Sequence, residues 1–234
     1  MDKLTRKELK SDKFALEVQH SVEYVSEHRQ QLIRWGGIAA GVIVLVVAVV
    51  VYRNYQHDAR QEALYKAMEI QNASVGQSSP NEFLISFPTE ADREKAASKA
   101  FSDLAAKYPG TDEGSIAEFF LGTEAADRGD LPQAEKRLRG VADQGGTYSA
   151  NAKLALAEVL AAEGKQADGE KLIQSVIDHP TVLVSKDSAT IALARLVGKT
   201  DLPRAQKLLD QLRASPRPEV SRAAISVIAE LTNK

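Results

Sequence analysis

The 234-residue chain contains no cysteine. This absence excludes disulfide bonds, thiol catalysis and zinc sites with cysteine ligands. It agrees with an oxidising compartment, although cysteine-free chains also occur in the cytosol. An excess of either charge is lacking too, because 30 Lys and Arg face 32 Asp and Glu, for a formal net charge of −2. Without a concentrated basic face, nucleic acid is not an expected partner.

Motifs that carry catalysis are also missing from the sequence. There is no glycine-rich phosphate loop, no G-x-S-x-G elbow and no H-E-x-x-H pair. Carboxylates are abundant, but on amphipathic helices they usually form the solvated face. The four histidines have no second ligand at metal spacing: His20, His28, His57 and His179. We therefore expect no enzymatic activity, no cofactor, no metal and no small-molecule substrate.

One apolar run stands out from this mixed composition. Eighteen residues from Trp35 to Tyr52 carry no charge and lie between Arg34 and Arg53. As a helix the run would span roughly 27 Å, close to the ~30 Å hydrocarbon core of a bilayer. A cleaved signal peptide has a shorter leader and a small-residue cleavage site, and neither is present. The run predicts a transmembrane helix over residues 35–52 with the lipid bilayer as a partner; the alternative is a buried core helix.

Charge on the two flanks predicts how this span is oriented. The leader, residues 1–34, holds seven Lys and Arg, whereas the twenty residues after the span hold three. The positive-inside rule therefore places the leader in the cytoplasm and residues 53–234 across the membrane. The leader also predicts an amphipathic helix, which could lie on the membrane, pair with a partner helix or remain in solvent. Its helical spacing is carried by Phe14, Val18, Val22, Val25, Arg29 and Leu32.

Residues 53–234 contain an internal repeat. The phrase DLPQAEKRL at Asp130–Leu138 returns as DLPRAQKLL at Asp201–Leu209, and GKQADGEKLI at Gly164–Ile173 lies near the midpoint. The period is close to 34 residues, which is typical of tetratricopeptide repeats. We therefore predict an all-α fold in which the transmembrane helix is followed by a solenoid of helical hairpins. A C-terminal helix from Pro218 to about Thr232 would cap it.

Small and apolar residues at fixed positions predict where the two helices of each hairpin cross. Small side chains let the helices approach closely, and larger ones fill the space beside them. Three positions depart from the tetratricopeptide pattern, since Glu118 replaces an aromatic residue, Gly169 an alanine and Thr200 a turn glycine. The predicted crossing residues are Ala97, Phe101, Pro109, Leu121, Gly122, Ala125, Ala134, Leu138, Leu156, Ala157, Leu160, Ile173, Ala192, Leu193, Leu196, Ala205 and Leu209.

The first hairpin is predicted to be atypical. Its leading helix continues from the span to about Ala73, because no Gly or Pro interrupts that stretch. A loop over residues 75–92 follows, with Gly, Ser and two prolines. It carries a short apolar patch that either folds back onto the first helix pair or docks onto a partner. The patch consists of Phe83, Leu84, Ile85 and Phe87.

A concave face lined by the first helix of each hairpin is the expected protein-binding groove. Its predicted residues mix apolar and acidic groups and lack the basic residues with which tetratricopeptide domains clamp a C-terminal carboxylate. Extended or unfolded apolar segments therefore fit better, and the alternative is a groove that covers only its own capping helix. The predicted residues are Ile116, Phe119, Thr123, Asp127, Asn151, Leu154, Glu158, Asp187 and Thr190.

The order of leader, span, juxtamembrane helix and divergent repeats resembles the ancillary SecYEG translocon subunit family over almost the whole chain. The repeat phrases FSDLAAKYPGT and FFLGTEAADRGDLPQAEKRL support this likeness. It implies a single-pass protein of the bacterial inner membrane whose repeats face the periplasm. Its expected partners are translocon subunits, periplasmic chaperones and unfolded clients. Two alternatives stay open: a structural coordinator of envelope or cytochrome assembly, and an inverted anchor that presents the repeats to cytosolic targeting factors.

Overall fold

The computed structural model describes residues 29–76 and 85–233. Nearly all of the predicted leader helix, together with Phe83 and Leu84, lies outside these residues. The described chain is helical apart from one pair of two-residue strands, which confirms the all-α prediction. In order, the elements are α1 Arg29–Gln71, β1 Ser74–Val75, β2 Ser86–Phe87, α2 Glu90–Lys107, α3 Asp112–Asp127, α4 Leu131–Gln144, α5 Ser149–Ala162, α6 Gln166–Asp178, α7 Lys186–Gly198, α8 Leu202–Arg213 and α9 Pro218–Thr232.

The chain divides into two compact units, residues 1–58 and residues 59–234. The described part of the first unit is the leading stretch of α1, which includes the predicted span of residues 35–52. By length and composition α1 is apolar enough to cross a membrane, and no part of its most apolar stretch is buried among the described residues. A buried core helix, the alternative interpretation of this run, therefore does not describe it.

The second unit is a series of antiparallel helices in which each packs on the next. The recurring Asp-Leu-Pro sequence marks the start of a helix in both copies, α4 and α8. Asp130 accepts a hydrogen bond from the backbone N–H of Gln133 at 3.3 Å, and Asp201 accepts one from Arg204 at 3.0 Å. A proline follows in the first turn of both α4 and α8, where its missing N–H leaves no helical hydrogen bond unmade. The repeat in the sequence is thus a repeated N-terminal cap.

Two of the turns between hairpin helices depend on glycine. Gly129 and Gly164 adopt φ values of +78° and +82°, which lie in the left-handed region. Each glycine stands two residues before the next helix, α4 or α6, begins. The turn between α7 and α8 has Thr200 instead, at a negative φ. Here the Asp201 N–H bonds directly to the Val197 carbonyl at 2.7 Å. Threonine is accepted because this turn is tighter and needs no left-handed residue.

The hairpin crossings are buried as the repeat period predicts. Ala134, Leu138 and Ala205 are completely inaccessible to solvent. A Cβ on Gly122 would come within 2.8 Å of the Leu138 side chain, so only glycine fits this crossing. Two predictions differ from the structure, since Ala192 is only half-buried while Ala194 is buried, and Pro109 is exposed on a turn.

Three core clusters run along the unit. The first joins α1 to α2 and α3 through Ala67, Phe101 and Ala117, and the other two continue through the later hairpins. The final helix matches the predicted cap in its bounds, but its buried side is formed by Ala224 and Val227, whereas Ile225 is exposed.

The segment between α1 and α2 covers residues 72–89, so it begins and ends three residues earlier than the predicted loop. α1 ends at Gln71, and α2 begins at Glu90, inside the segment predicted as loop, because the Thr89 hydroxyl accepts from the Asp92 N–H at 3.1 Å and caps the helix. The strands β1 and β2 pair in parallel, with Val75 opposite Phe87. This pairing closes the loop at its base.

Candidate protein-binding groove

The first helices of successive hairpins lie side by side. α3 contacts α5, α5 contacts α7, and α7 contacts the capping helix α9. Polar contacts near the starts of α3, α5, α7 and α9 link α1 to α3, α3 to α5, and α7 to α9. Arg60 in α1 bonds to Glu113 at the start of α3, Thr147 before α5 donates to Asp112 at 3.5 Å, and Asp187 in α7 pairs with Arg217 before α9. These helices therefore run in the same direction and present one continuous face.

A depression of about 290 Å³ lies on this face between α3, α4 and α5. Three of the predicted groove residues, Thr123, Asp127 and Glu158, line it together with Lys199 at the end of α7. Small and aliphatic side chains form its floor. The floor consists of Ala126, Leu131, Leu138, Ala155, Val159 and Ala162.

The charged side chains at the rim of the depression are available to a ligand. Within residues 29–76 and 85–233, no ion pair involves Asp127, Glu158 or Lys199, and all three residues are exposed. The Thr123 hydroxyl donates to the Phe120 carbonyl at 2.9 Å, so only its acceptor capacity remains. The site can therefore receive one aliphatic side chain on its floor while charged or peptide groups bind at the rim.

Ile116 and Phe119 lie farther toward the N-terminus of α3 and are half-buried. The Phe119 ring packs edge-on against Tyr148 at 5.3 Å and against Phe120 at 5.6 Å between centroids. Phe120 in turn stacks on Phe101 at 4.8 Å. Phe119 thus belongs to an aromatic cluster that joins three helices, and it presents only part of its ring to the groove.

Asn151 and Leu154 are likewise half-buried on α5. Leu154 packs against the core cluster of the later hairpins. The Asn151 Oδ1 atom is buried and has no hydrogen-bond partner among the described residues. Because a buried acceptor without a donor is costly, this amide is a place where a bound backbone N–H would be favoured.

Asp187 and Thr190 on α7 are engaged within the fold. The Asp187 carboxylate pairs with Arg217, which precedes the capping helix, and the Thr190 hydroxyl donates to the Lys186 carbonyl at 2.8 Å. The structure thus brings Thr123, Asp127 and Glu158 to one depression, whereas the other predicted groove residues do not line it.

The described part of the proposed docking loop is small. Ile85 is exposed, and Phe87 is half-buried beside α2, to which β2 packs. Phe87 therefore folds back onto the first hairpin, while Ile85 remains open to solvent.

A second cavity of about 350 Å³ lies on the opposite side, between α2, α3 and α4. Its polar groups are largely paired with one another. Arg137 donates to Glu118 at 2.6 Å, and the Ser115 hydroxyl bonds to Gln144. The ion pair with Arg137 also explains Glu118, which stands where the repeat pattern has an aromatic residue. Because these groups are satisfied internally, this cleft offers fewer free contacts than the depression.

Ion pairs link the second helices of neighbouring hairpins. Glu135 on α4 pairs with Lys165 before α6 at 3.1 Å, and Glu170 on α6 pairs with Arg204 on α8 at 2.7 Å. Hydrogen bonds from Arg139 and Lys165 lower the pKa of Glu135 to about 2. The two glutamates occupy equivalent repeat positions, and each pair joins one hairpin to the next.

The groove contains residues that the sequence did not identify, notably Ala155, Ala162 and Lys199. Ala155 and Ala162 are two turns apart on one side of α5, with Glu158 between them. Two alanines at this spacing, with an acidic residue between them, are the sequence feature that could have predicted the floor of the depression. Nothing in the sequence indicates that Lys199, from the end of α7, lines the same depression as Asp127.

Stacked antiparallel hairpins with small residues at their crossings define a helical-repeat scaffold. The sequence profile of the family described as tetratricopeptide repeat-like domain matches residues 31–181. The chain belongs to this family. No curated protein and no solved structure matches the chain.

The extent of the match is informative about the architecture. It begins within α1, so the apolar helix is part of what the family shares, and it ends after α6. The depression between α3 and α5 lies inside the matched region, apart from Lys199. The helices α7, α8 and α9 continue the same packing beyond it.

Proposed function

We propose that the protein is a membrane-tethered scaffold that binds extended polypeptide segments in the groove of its first helices. The observation that carries the proposal is the depression between α3, α4 and α5 with its aliphatic floor. At its rim are Asp127, Glu158 and Lys199, which form no ion pair with any other described residue. Such a combination suits peptides, because the floor accepts an apolar side chain and the rim addresses polar groups of a passing backbone. Tetratricopeptide repeat-like domains are scaffolds for protein–protein interaction.

Anchoring in a membrane is supported by α1. Its residues from Trp35 to Tyr52 carry large exposed aliphatic side chains with no partner in the described chain. A helix that is apolar on all sides and left uncovered is stable in lipid, where its backbone bonds are satisfied internally. The flanking charge favours a cytoplasmic leader and repeats on the far side.

The finer proposal places this scaffold at the bacterial inner membrane beside the Sec translocon, with the repeats in the periplasm. There it would bind segments of newly translocated chains and work with translocon subunits and periplasmic chaperones. The resemblance of the whole architecture to ancillary SecYEG subunits supports this location. The small aliphatic floor supports unfolded clients, since it can accept many apolar side chains without a demanding fit.

Site-specific photocrosslinking tests the groove. A photoreactive amino acid in place of Glu158, at the rim, should capture polypeptides in cells, and the same amino acid in place of Lys136, on the outer cleft, is the control. Glu158 and Lys136 are both exposed, so neither replacement disturbs the core. Equal capture from both positions, or capture from Lys136 alone, would contradict binding in the groove.

A matched pair of alanine substitutions tests the same site by blocking it. Ala162→Trp fills the floor of the depression, whereas Ala167→Trp adds the same side chain to the outer side of α6. Both alanines are exposed and can accept the larger group. We expect crosslinking from Glu158 to fall with Ala162→Trp and to persist with Ala167→Trp.

A topology reporter distinguishes the proposed orientation from an inverted anchor. Alkaline phosphatase fused after Lys234 is active only in the periplasm and should be active here. Activity of a cytosolic reporter at the same position would support presentation of the repeats to cytosolic factors instead. If the orientation holds but no translocon subunit is captured, a coordinator of envelope or cytochrome assembly becomes the better proposal.

A further inference from the structure

An exposed apolar turn connects α6 to α7. Val182 is fully exposed, at 103% of its reference area, and Leu183 is 49% exposed. Among described residues after Asp58, Val182 is the most exposed large hydrophobic side chain. Two adjacent aliphatic side chains held in water at the tip of a turn are unfavourable unless something covers them.

The turn is ordered by its own contacts. The Thr181 N–H bonds to the Val184 carbonyl at 2.9 Å, and the Val184 N–H bonds to the Thr181 hydroxyl at 3.1 Å. The Val184 side chain is buried in the core cluster that includes Ala150. The fold thus anchors one side of the turn and holds Val182 and Leu183 outward.

Other turns at the same end of the helices differ in chemistry. The turn before α3 exposes Pro109 and Gly110, and the turn before α5 exposes two glycines and Thr147. The turns at the opposite end contain charged residues around Gly129, Gly164 and Thr200. Among the described residues after the predicted span, two adjacent exposed large aliphatic side chains occur only in the α6–α7 turn.

This end is also the one at which the chain enters the second unit. Arg60 and Gln61, just after Ala59, bond to Glu113 at the N-terminus of α3. The contacts between Asp112 and Thr147, and then the cluster shared by Ala150 and Val184, continue along the same end. The Val182 turn thus lies at the end of the helices that is attached to α1.

The predicted span ends close to this attachment. Only Arg53–Asp58 separate Tyr52 from Ala59, and even a fully extended chain of seven residues reaches about 25 Å. The point at which the chain enters the second unit therefore lies within about 25 Å of the end of the predicted span. A unit tethered to the bilayer by so few residues meets the lipid at a high effective concentration, which favours contact by an exposed apolar pair.

We infer that the Val182–Leu183 turn contacts the lipid bilayer as a second attachment point of the repeat unit. The inference rests on the proposed membrane anchor. Lipid is the proposed partner because the turn lies at the tethered end and exposes aliphatic side chains. It offers neither a pocket nor the paired charges with which a protein ligand is usually bound. The alternative, in which the turn contacts a protein, is distinguished by the experiment below.

The absence of cysteine makes a direct test simple, because single introduced thiols can be labelled in the full chain. Fluorescent labels are placed at Leu183→Cys and, as the matched control, at Ile225→Cys on α9. These aliphatic residues are 49% and 50% exposed, so both labels start from the same accessibility. A third label at Val46→Cys, in the predicted span, reports whether the anchor is inserted.

The full chain is reconstituted in vesicles of phosphatidylethanolamine and phosphatidylglycerol that contain lipids with spin labels near the headgroup or deep in the acyl chains. The Val46 label should be quenched by the deep spin label. The Leu183 label should be quenched by the shallow one, at least about twofold more than the Ile225 label, as expected for a side chain at the interface. Val182→Asn in the Leu183-labelled chain should reduce that quenching.

The outcomes separate the two proposals. If the Val46 label is not quenched, the membrane anchor itself fails. If the Val46 label is quenched but the Leu183 label is quenched no more than the Ile225 label, the lipid contact is overturned and the turn is open to a protein partner. Far-UV circular dichroism of each labelled chain confirms that the helices remain.

Discussion

The guanidinium of Arg60 donates from Nε to Oε2 of Glu113 over 3.1 Å, and this contact joins α1 to α3. The Glu113 residue is only 3% exposed, and Gln61 donates to its other oxygen at 2.6 Å. Burial by itself raises the pKa of this carboxyl, but the backbone N–H of Glu113, Gln61 and Arg60 outweigh it and hold the pKa below its ordinary value. The first hairpin is therefore fixed by a buried, charged contact as well as by its apolar cluster.

Replacing Glu113 by Ala should destabilise the repeat unit. The change leaves Arg60 and Gln61 without their acceptor, and lost hydrogen bonds to a charged group cost about 1–3 kcal/mol. Urea unfolding of the full chain in detergent measures the change. Glu62→Ala, which removes the exposed partner of Lys66, is the control and should leave the unfolding midpoint unchanged.

The same pair predicts a pH dependence. Because the pKa of Glu113 is depressed in the folded protein, its stabilisation is present above the ordinary value of 4.5 and is lost as the pH falls through the folded pKa. The difference in stability between the natural chain and Glu113→Ala should therefore shrink below about pH 4.5. A difference that stays constant from neutral to strongly acidic pH would argue that packing, rather than charge, carries the contact.

Gly169→Ala should destabilise the protein although it restores the residue typical of this repeat position. An added Cβ would stand 2.6 Å from the Ala157 carbonyl oxygen, so α5 and α6 would have to separate. Overpacking of this kind usually costs about 1–3 kcal/mol. The thermal midpoint of the full chain in detergent should fall.

Gly140→Ala is the matched control for that substitution. Gly140 is also within a helix, but a Cβ there meets nothing within 4 Å. Alanine should therefore stabilise α4 by roughly 0.5–1 kcal/mol through helix propensity alone. Effects of the same sign at both positions would show that the helix crossing at Gly169 is looser than described.

Phe119→Ala should lower stability as well as alter the groove. The ring makes edge-to-face contacts with Tyr148 and Phe120, and such pairs contribute about 0.5–1.5 kcal/mol each beyond burial. Chemical unfolding should show a loss of at least about 1 kcal/mol. Ala162→Trp, by contrast, should change binding with little change in stability, and it is the cleaner test of the groove.

A fragment of residues 54–234 should be soluble and helical. This fragment keeps the contact of Arg60 with Glu113 and the buried Ala67, which join α1 to the repeats. A fragment of residues 72–234 should aggregate, because loss of the first helix exposes the cluster around Phe101 and Ala117. Size-exclusion chromatography and circular dichroism distinguish the two. Equal behaviour of both fragments would mean that α1 is not an integral part of the first hairpin.

Much of the hairpin series could be predicted from the sequence because its determinants are local. The DLP phrase combines an aspartate cap with a proline, and it starts α4 and α8 where expected. The small residues at 34-residue spacing predicted the buried crossings at Ala134 and Ala205, since only a crossing requires small residues in both helices. The apolar run within α1 was equally local.

The groove could be predicted only in part. Helical spacing placed Thr123, Asp127 and Glu158 on one face, and they line a common depression. Spacing could not show that the Phe119 ring packs on Tyr148, or that Asp187 pairs with Arg217, because both partners come from other helices. Exposure of a helical position depends on the angle at which the next hairpin packs.

The sequence by itself determined the helices, their order and the apolar run, because caps, breakers and hydrophobic period act within a few residues of the chain. Only the tertiary structure decided which side chains meet. It brought Lys199 and Asp127 to one depression, left Val182 exposed while burying Val184, and made glycine necessary at Gly169 but dispensable at Gly140. The physical reason is that contact and accessibility depend on packing between helices that are distant in the chain, which local preferences do not specify.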